Sequence, residues 1–188
     1  MIILVACIVA VLSVPATGRS LAPLAKLSLR RVGLVWLGAG LQLVITLVPG
    51  VPNWLGEPLH LCTYALSVAF LWCNRHLPGA LLLGLGTALN LAAIVANGGT
   101  MPASASAWRT AGLPTITSQF ENSNVLHSAR LPWLGDVFAI PKGWPLANVF
   151  SVGDVLIVIA VAYMVHVFCR RGVPAVDPQP VASDPLYI

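Results

Sequence analysis

Val149-Phe150-Ser151-Val152-Gly153-Asp154-Val155-Leu156-Ile157-Val158-Ile159-Ala160-Val161-Ala162-Tyr163-Met164-Val165-His166-Val167-Phe168-Cys169 is an apolar run of 21 residues with one acid near its start, and Arg170-Arg171 stops it. A stretch of this length and apolarity reads as a helix able to cross a bilayer. A carboxylate at the mouth of such a run is costly to keep ionised, so Asp154 calls for a partner or a task.

The rest of the chain extends that reading. Hydrophobic residues make up 57% of the 188 and charged residues 9%, against about 25% charged in an ordinary water-facing domain. Mean hydropathy is +0.86. Four further apolar runs precede the one quoted: 1–17, 32–48, 59–73 and 80–96. The first lacks the basic residues that open a cleavable leader, and Arg19, Lys26, Arg30 and Arg31 follow it instead. The expected fold is therefore an all-α membrane protein of five transmembrane helices. Its N-terminus lies outside and its C-terminus inside, with an irregular cap outside the membrane between helices 4 and 5. Basic residues near the span ends set that orientation: seven lie on the inner side, and Arg109, Arg130 and Lys142 on the outer.

One domain covers 1–171, with the cap at 97–148, and the proline-bearing tail at 172–188 is expected to be disordered. Residues 19–31 read as a basic segment lying along the inner surface with Leu21, Leu24, Leu27 and Leu29 toward lipid. Gly38, Gly40, Gly84 and Gly86 read as positions of close helix packing, and Gln42 and Asn90 as cross-helix hydrogen-bonding groups. Cys7, Cys62, Cys73 and Cys169 show no paired spacing and read as small buried residues. In the cap, Ser118 with Glu121 fits a capping box for a short helix over 118–128, Val137–Ile140 reads as extended, and Pro141-Lys142-Gly143 as a turn.

Six acidic residues occur in the chain, and two of them, Asp136 and Asp154, stand 18 positions apart on either side of the cap's end. Their structural reading is complete in itself. Ser151-Val152-Gly153-Asp154 fits a helix N-cap, where a hydroxyl and a carboxylate meet free N–H groups, and Asp136 after Gly135 fits a turn. The functional reading joins them. Two carboxylates brought together share one proton, so one acts as base toward water and the other donates to a carbonyl oxygen.

Leu134-Gly135-Asp136-Val137-Phe138, Trp144-Pro145 and Val149-Phe150-Ser151-Val152-Gly153-Asp154-Val155-Leu156-Ile157 resemble the C-terminal part of the lipoprotein signal peptidases (signal peptidase II). The resemblance implies that Asp136 and Asp154 form a catalytic aspartyl dyad. Asn97-Gly98-Gly99-Thr100-Met101-Pro102-Ala103-Ser104 is similar to that family's substrate-side strip, which implies a substrate contact for Asn97. Ser151 stands where the family carries Asn, and it joins the substrate-side set with His127 and Arg130 of the cap. Over the whole chain the pattern N-G-G-x-M-P, L-G-D, V-F-S-x-G-D also resembles a family of small bacterial membrane proteins known only as a domain of unknown function.

The polar residues of the cap and its surroundings (Glu57, His60, His127, Arg130) lack the spacing of metal ligands, and no metal or other cofactor is expected. No nucleotide loop or nucleic-acid surface is present. Two functions stand side by side: an intramembrane aspartyl endopeptidase-like hydrolase, and a non-catalytic accessory or scaffold subunit of a membrane complex. The expected location is the cell membrane, in multi-pass form. The expected partners are the lipid bilayer, a lipidated peptide or lipid ligand, and a membrane-complex partner.

Overall fold

The apolar runs fold as helices because little within them competes: few polar side chains offer alternative backbone partners, and proline punctuates mainly their ends. A computed structural model describes residues 2–48, 50–114 and 122–170. The helices are α1 (Ile2–Ala16), α2 (Gly33–Leu47), α3 (Asn53–Cys73), α4 (Ala80–Ala96), α5 (Ala105–Ala111) and α6 (Val152–Phe168). Short strands punctuate the segment between α4 and α6: β1 (Met101–Pro102), β2 (Ser123–Asn124), β3 (Phe138–Ile140) and β4 (Asn148–Phe150).

Five of these helices coincide with the five apolar runs, but the expectation that they are transmembrane is corrected. Among the described residues, no helix is long and apolar enough to cross a membrane. The reason is length and interruption. α1 and α2 have 15 residues each, α4 and α6 have 17, and at 1.5 Å per residue these reach roughly 22–26 Å. The hydrocarbon of a bilayer is about 30 Å thick. α3 has 21 residues, yet Asn53, Glu57, Pro58 and His60 fall in its first half. The inside-outside assignment from basic residues therefore has no spanning helix to orient among the described residues.

α4 packs on α6, α2 on α3 and α1 on α6, while α3 also meets α4. The α4–α6 crossing is the tightest. A Cβ at Gly86 would come within 2.7 Å of the Gly153 carbonyl oxygen, and one at Gly153 would overlap the Asn90 side chain. Gly38 makes ordinary contact with Leu66 and Thr63, whereas Gly40 and Gly84 face open space, so neither is a packing position as expected from sequence. Leu21 and Leu24, at a 3-10 turn over Ala22–Lys26, pack against Val14, Val165 and Cys169 and not toward an outer phase. All four cysteines are free, and Cys62 is exposed, contrary to its expected burial.

The cap is stitched by backbone. Met101 N–H donates to Asn122 O at 2.9 Å and Ala103 N–H to Asn124 O at 2.8 Å, which sets β1 parallel to β2. On the other side of the same segment, Asp136 N–H donates to Pro102 O at 2.8 Å and Ser104 N–H to Asp136 O at 3.0 Å. β3 and β4 form an antiparallel pair that leads directly into α6, with Phe138 stacked on Phe150 at 5.3 Å. The extended piece and the turn at Pro141–Gly143 are present, the latter with Gly143 at φ 97°. Of the helix expected over 118–128, the described part is not helical: Ser123–Asn124 is a strand, and Ser118 and Glu121 lie outside the described residues. The tail at 172–188 also lies outside them.

Two asparagines fasten loops in the same manner. Asn74, closing α3, accepts from Arg30 N–H at 2.9 Å and donates to Arg30 O at 2.9 Å. Asn97, closing α4, accepts from Arg130 N–H at 2.8 Å and donates to Arg130 O at 2.7 Å. Each amide mimics a peptide group and so pairs with one residue's backbone in both directions.

Candidate functional site

β1 and the start of α6 bring the two acids to one place. Gly135 has no side chain because a Cβ there would overlap the Pro102 carbonyl, so the chain can lie directly against residues 102–104. That close approach turns the Asp136 side chain inward, where it is 4% exposed. Asp154 arrives from the other side, on the first turn of α6.

A cavity of about 480 Å³ lies between them. Its polar wall comprises Asp136, Asp154, Asn90, Tyr64 and His60, together with Asn122, Ser123 and Asn148 of the cap. Its apolar wall includes Ile2 and Ile3 of α1, Ile94 of α4, Met101 and Trp108. Among the described residues no lysine or arginine lines it.

Asp154 is fixed by three bonds. Asp154 N–H donates to Ser151 Oγ at 3.0 Å and Ser151 N–H donates back to Asp154 Oδ2 at 3.0 Å, which is a capping box. Asn90 Nδ2 donates to Asp154 Oδ1 at 2.8 Å, and Ser151 Oγ donates to Asn90 Oδ1 at 2.8 Å. Both carboxylate oxygens therefore face N–H donors, as an ionised carboxylate requires. Ser151 and Asn90 are themselves buried, at 0% and 1% exposure.

The electrostatics of the two acids differ. Burial pushes the Asp136 carboxyl up to about 6, the charge of Asp154 adds to the rise, and a hydrogen bond from Ser123 opposes it. Burial and the charges of Asp154 and Asp136 also raise the Tyr64 phenol, against a hydrogen bond with Asn90, so Tyr64 stays a neutral O–H. His60 packs edge-on to Tyr64 at 5.3 Å and lies 3.3 Å from Gln42 Oε1 through Nδ1. Burial lowers its imidazole to about 4, so it is neutral at physiological pH.

The residues singled out from sequence fall into two groups. Asp136 and Asp154 line one cavity, and Ser151 stands behind Asp154 as its cap. Asn97, His127 and Arg130 are elsewhere: the Asn97 amide is taken up by the Ala93 and Arg130 backbone, and His127 and Arg130 are exposed and do not line the cavity. Tyr64 is a wall residue for which a single aromatic in an apolar run gives no signal, and Trp108, one of the cap's aromatic residues, is buried and lines the same cavity. Asn90 was read as a cross-helix group, and the partner it finds is Asp154. Among the described residues no group of three or more His, Cys, Asp or Glu could hold a metal ion.

A family of unknown function, DUF5317, matches residues 26–166, and the chain belongs to that family. An uncharacterized protein of Thermotoga maritima is 32% identical over 97 residues, covering 51% of this chain and 55% of the relative. The match thus spans about half the length of each protein. No solved structure matches.

Proposed function

We propose that this member of the DUF5317 family is a hydrolase of the aspartyl type, with Asp136 as general acid and Asp154 as general base. The observation that carries the reading is that one cavity is lined by both acids, the buried Asp136 of the cap and the half-buried Asp154 of the helix. In this reading a water beside Asp154 gives it a proton while its oxygen attacks a carbonyl carbon. Asp136 gives its proton to the carbonyl oxygen, forming a tetrahedral diol. Collapse of the diol breaks the bond to the leaving group, which takes the proton from Asp154, while one diol hydroxyl returns its proton to Asp136 and the product leaves as a carboxylic acid. Raised to about 6, the carboxyl holds its proton closer to neutral pH than a free aspartate does, which suits a group that acts as an acid and, after donation, as a base.

The apolar wall of Ile2, Ile3, Ile94 and Met101 beside the acids supports a substrate with a hydrocarbon portion, such as a lipidated peptide. Trp36, Trp54, Trp72, Leu47 and Leu81 are exposed, which supports a location at the cell membrane. The test is cleavage of a diacylated lipoprotein-precursor peptide by the purified chain and by Asp136→Asn and Asp154→Asn. Loss of cleavage in both variants with folding retained supports the reading, and equal cleavage in all three removes it.

A second reading has its own observation. The capping box accounts for Asp154 without chemistry, as in a binding or accessory subunit. In that case the cavity takes up a ligand and leaves it intact.

A further inference from the structure

Asn90 is the only amide among the described cavity residues that hydrogen-bonds directly to an acid, through the 2.8 Å contact of Nδ2 with Asp154 Oδ1. The direction of that amide is set by its neighbours. Ser151 Oγ accepts from Asp154 N–H and spends its own proton on Asn90 Oδ1. With Oδ1 so engaged, the NH₂ group must point at Asp154. Turned through half a revolution, the amide would set its oxygen against a carboxylate oxygen, two acceptors with no proton between them. It would fit only if Asp154 had taken a proton. The Asp136 side chain is hydrogen-bonded by Ser123 instead.

We propose that Asn90 is a positioning residue that makes Asp154, and not Asp136, the proton-accepting member of the pair, with Ser151 locking the amide in the required direction. The inference rests on the hydrolytic reading for its use but not for its geometry. Gly153 belongs to the same device, because a side chain there would occupy the place of the Asn90 amide. The titratable groups facing Asp136 across the cavity are Asp154 from α6 and Tyr64 and His60 from α3, and the cavity-lining residues of α1, α4 and α5 add none.

The test follows the carboxyl ¹³C resonance of Asp136 against pH in the full chain, without substrate, assigned by its loss in Asp136→Asn. In Asn90→Leu, which keeps volume but removes the donor, the Asp154 carboxylate is no longer held against the cavity, its charge bears less on Asp136, and the Asp136 midpoint falls. Ser151→Ala, which frees the amide to turn, gives a smaller fall in the same direction and decides the matter if Asn90→Leu does not fold. A purely structural role for Asn90 lowers the melting temperature and leaves the Asp136 midpoint where it was. An unmoved midpoint in the folded variants overturns the proposal. Cleavage assays on the same samples separate the two ideas: a shifted midpoint in a chain that cleaves nothing leaves the positioning intact and removes only the hydrolytic reading.

Discussion

The Asn90 side chain fills the space that a Cβ on Gly153 would need, so the tightest point of the α4–α6 crossing is also the point where Asp154 is held. Packing and site geometry therefore fail together. Gly153→Ala is expected to destabilise the chain by about 1–3 kcal/mol, the range for forcing extra volume into a packed interface, and to abolish any activity of Asp154. Thermal unfolding and cleavage measured on one preparation check both.

The neighbouring helix glycines provide the contrast. Gly40 and Gly84 sit inside α2 and α4 with nothing near a built Cβ. Alanine at either is expected to stabilise by about 0.5–1 kcal/mol through helix propensity. Gly86→Ala, meeting the Gly153 carbonyl oxygen, is expected to destabilise. Denaturant midpoints for the three variants give the comparison directly.

Asp136 and His60 make opposing contributions to stability with pH. The Asp136 carboxyl is raised from 3.8 to about 6, so its contribution is full below about 4 and is lost as pH rises through 6. The His60 imidazole is lowered from 6.5 to about 4, so its contribution is full above 6.5 and is lost as pH falls through 4. Each is worth on the order of 3 kcal/mol, and across pH 4–6.5 they offset one another. Removing one exposes the other: Asp136→Asn is expected to gain stability with rising pH in that window, and His60→Asn to lose it. Asp136→Asn is also expected to be the more stable protein at pH 7 while losing turnover. Unfolding free energies at several pH values decide the signs.

The clasps predict an asymmetry between a residue and its partner. Asn97→Ala is expected to cost about 1–2 kcal/mol by leaving the Arg130 backbone groups without their amide. Arg130→Ala, which keeps that backbone, is expected to cost within about 0.5 kcal/mol. The same contrast is expected between Asn74→Ala and Arg30→Ala. Equal losses on both sides would show that the arginine side chains matter more than their backbones.

Helix positions were legible because apolar runs bounded by Pro49-Gly50, Pro78-Gly79 and Arg170-Arg171 have one simple local solution. Their fate as spans was not, because a run's apolarity does not measure the helix that forms: the first and second runs yield helices of only 15 residues. The Ser151–Asp154 cap was readable from spacing alone, since the motif is local. The role of Gly135 depends on the Pro102 carbonyl, 33 positions earlier, and the pairing of β1 with β2 is equally non-local. Gly84 and Gly86 look alike in sequence, and only the angle at which α6 crosses α4 distinguishes them.

The segment at 101–104 carries a last implication, for the order of assembly. Asp136 reaches the cavity through two peptide bonds' worth of hydrogen bonding to Pro102 and Ser104, whereas Asp154 is seated by its own helix cap at Ser151 and by Asn90 of α4. Opening that seam withdraws one acid and leaves the other in place. A partly open chain would then hold a half-built centre, and amide hydrogen exchange at Asp136 and Ser104 would report its completion independently of exchange along α6.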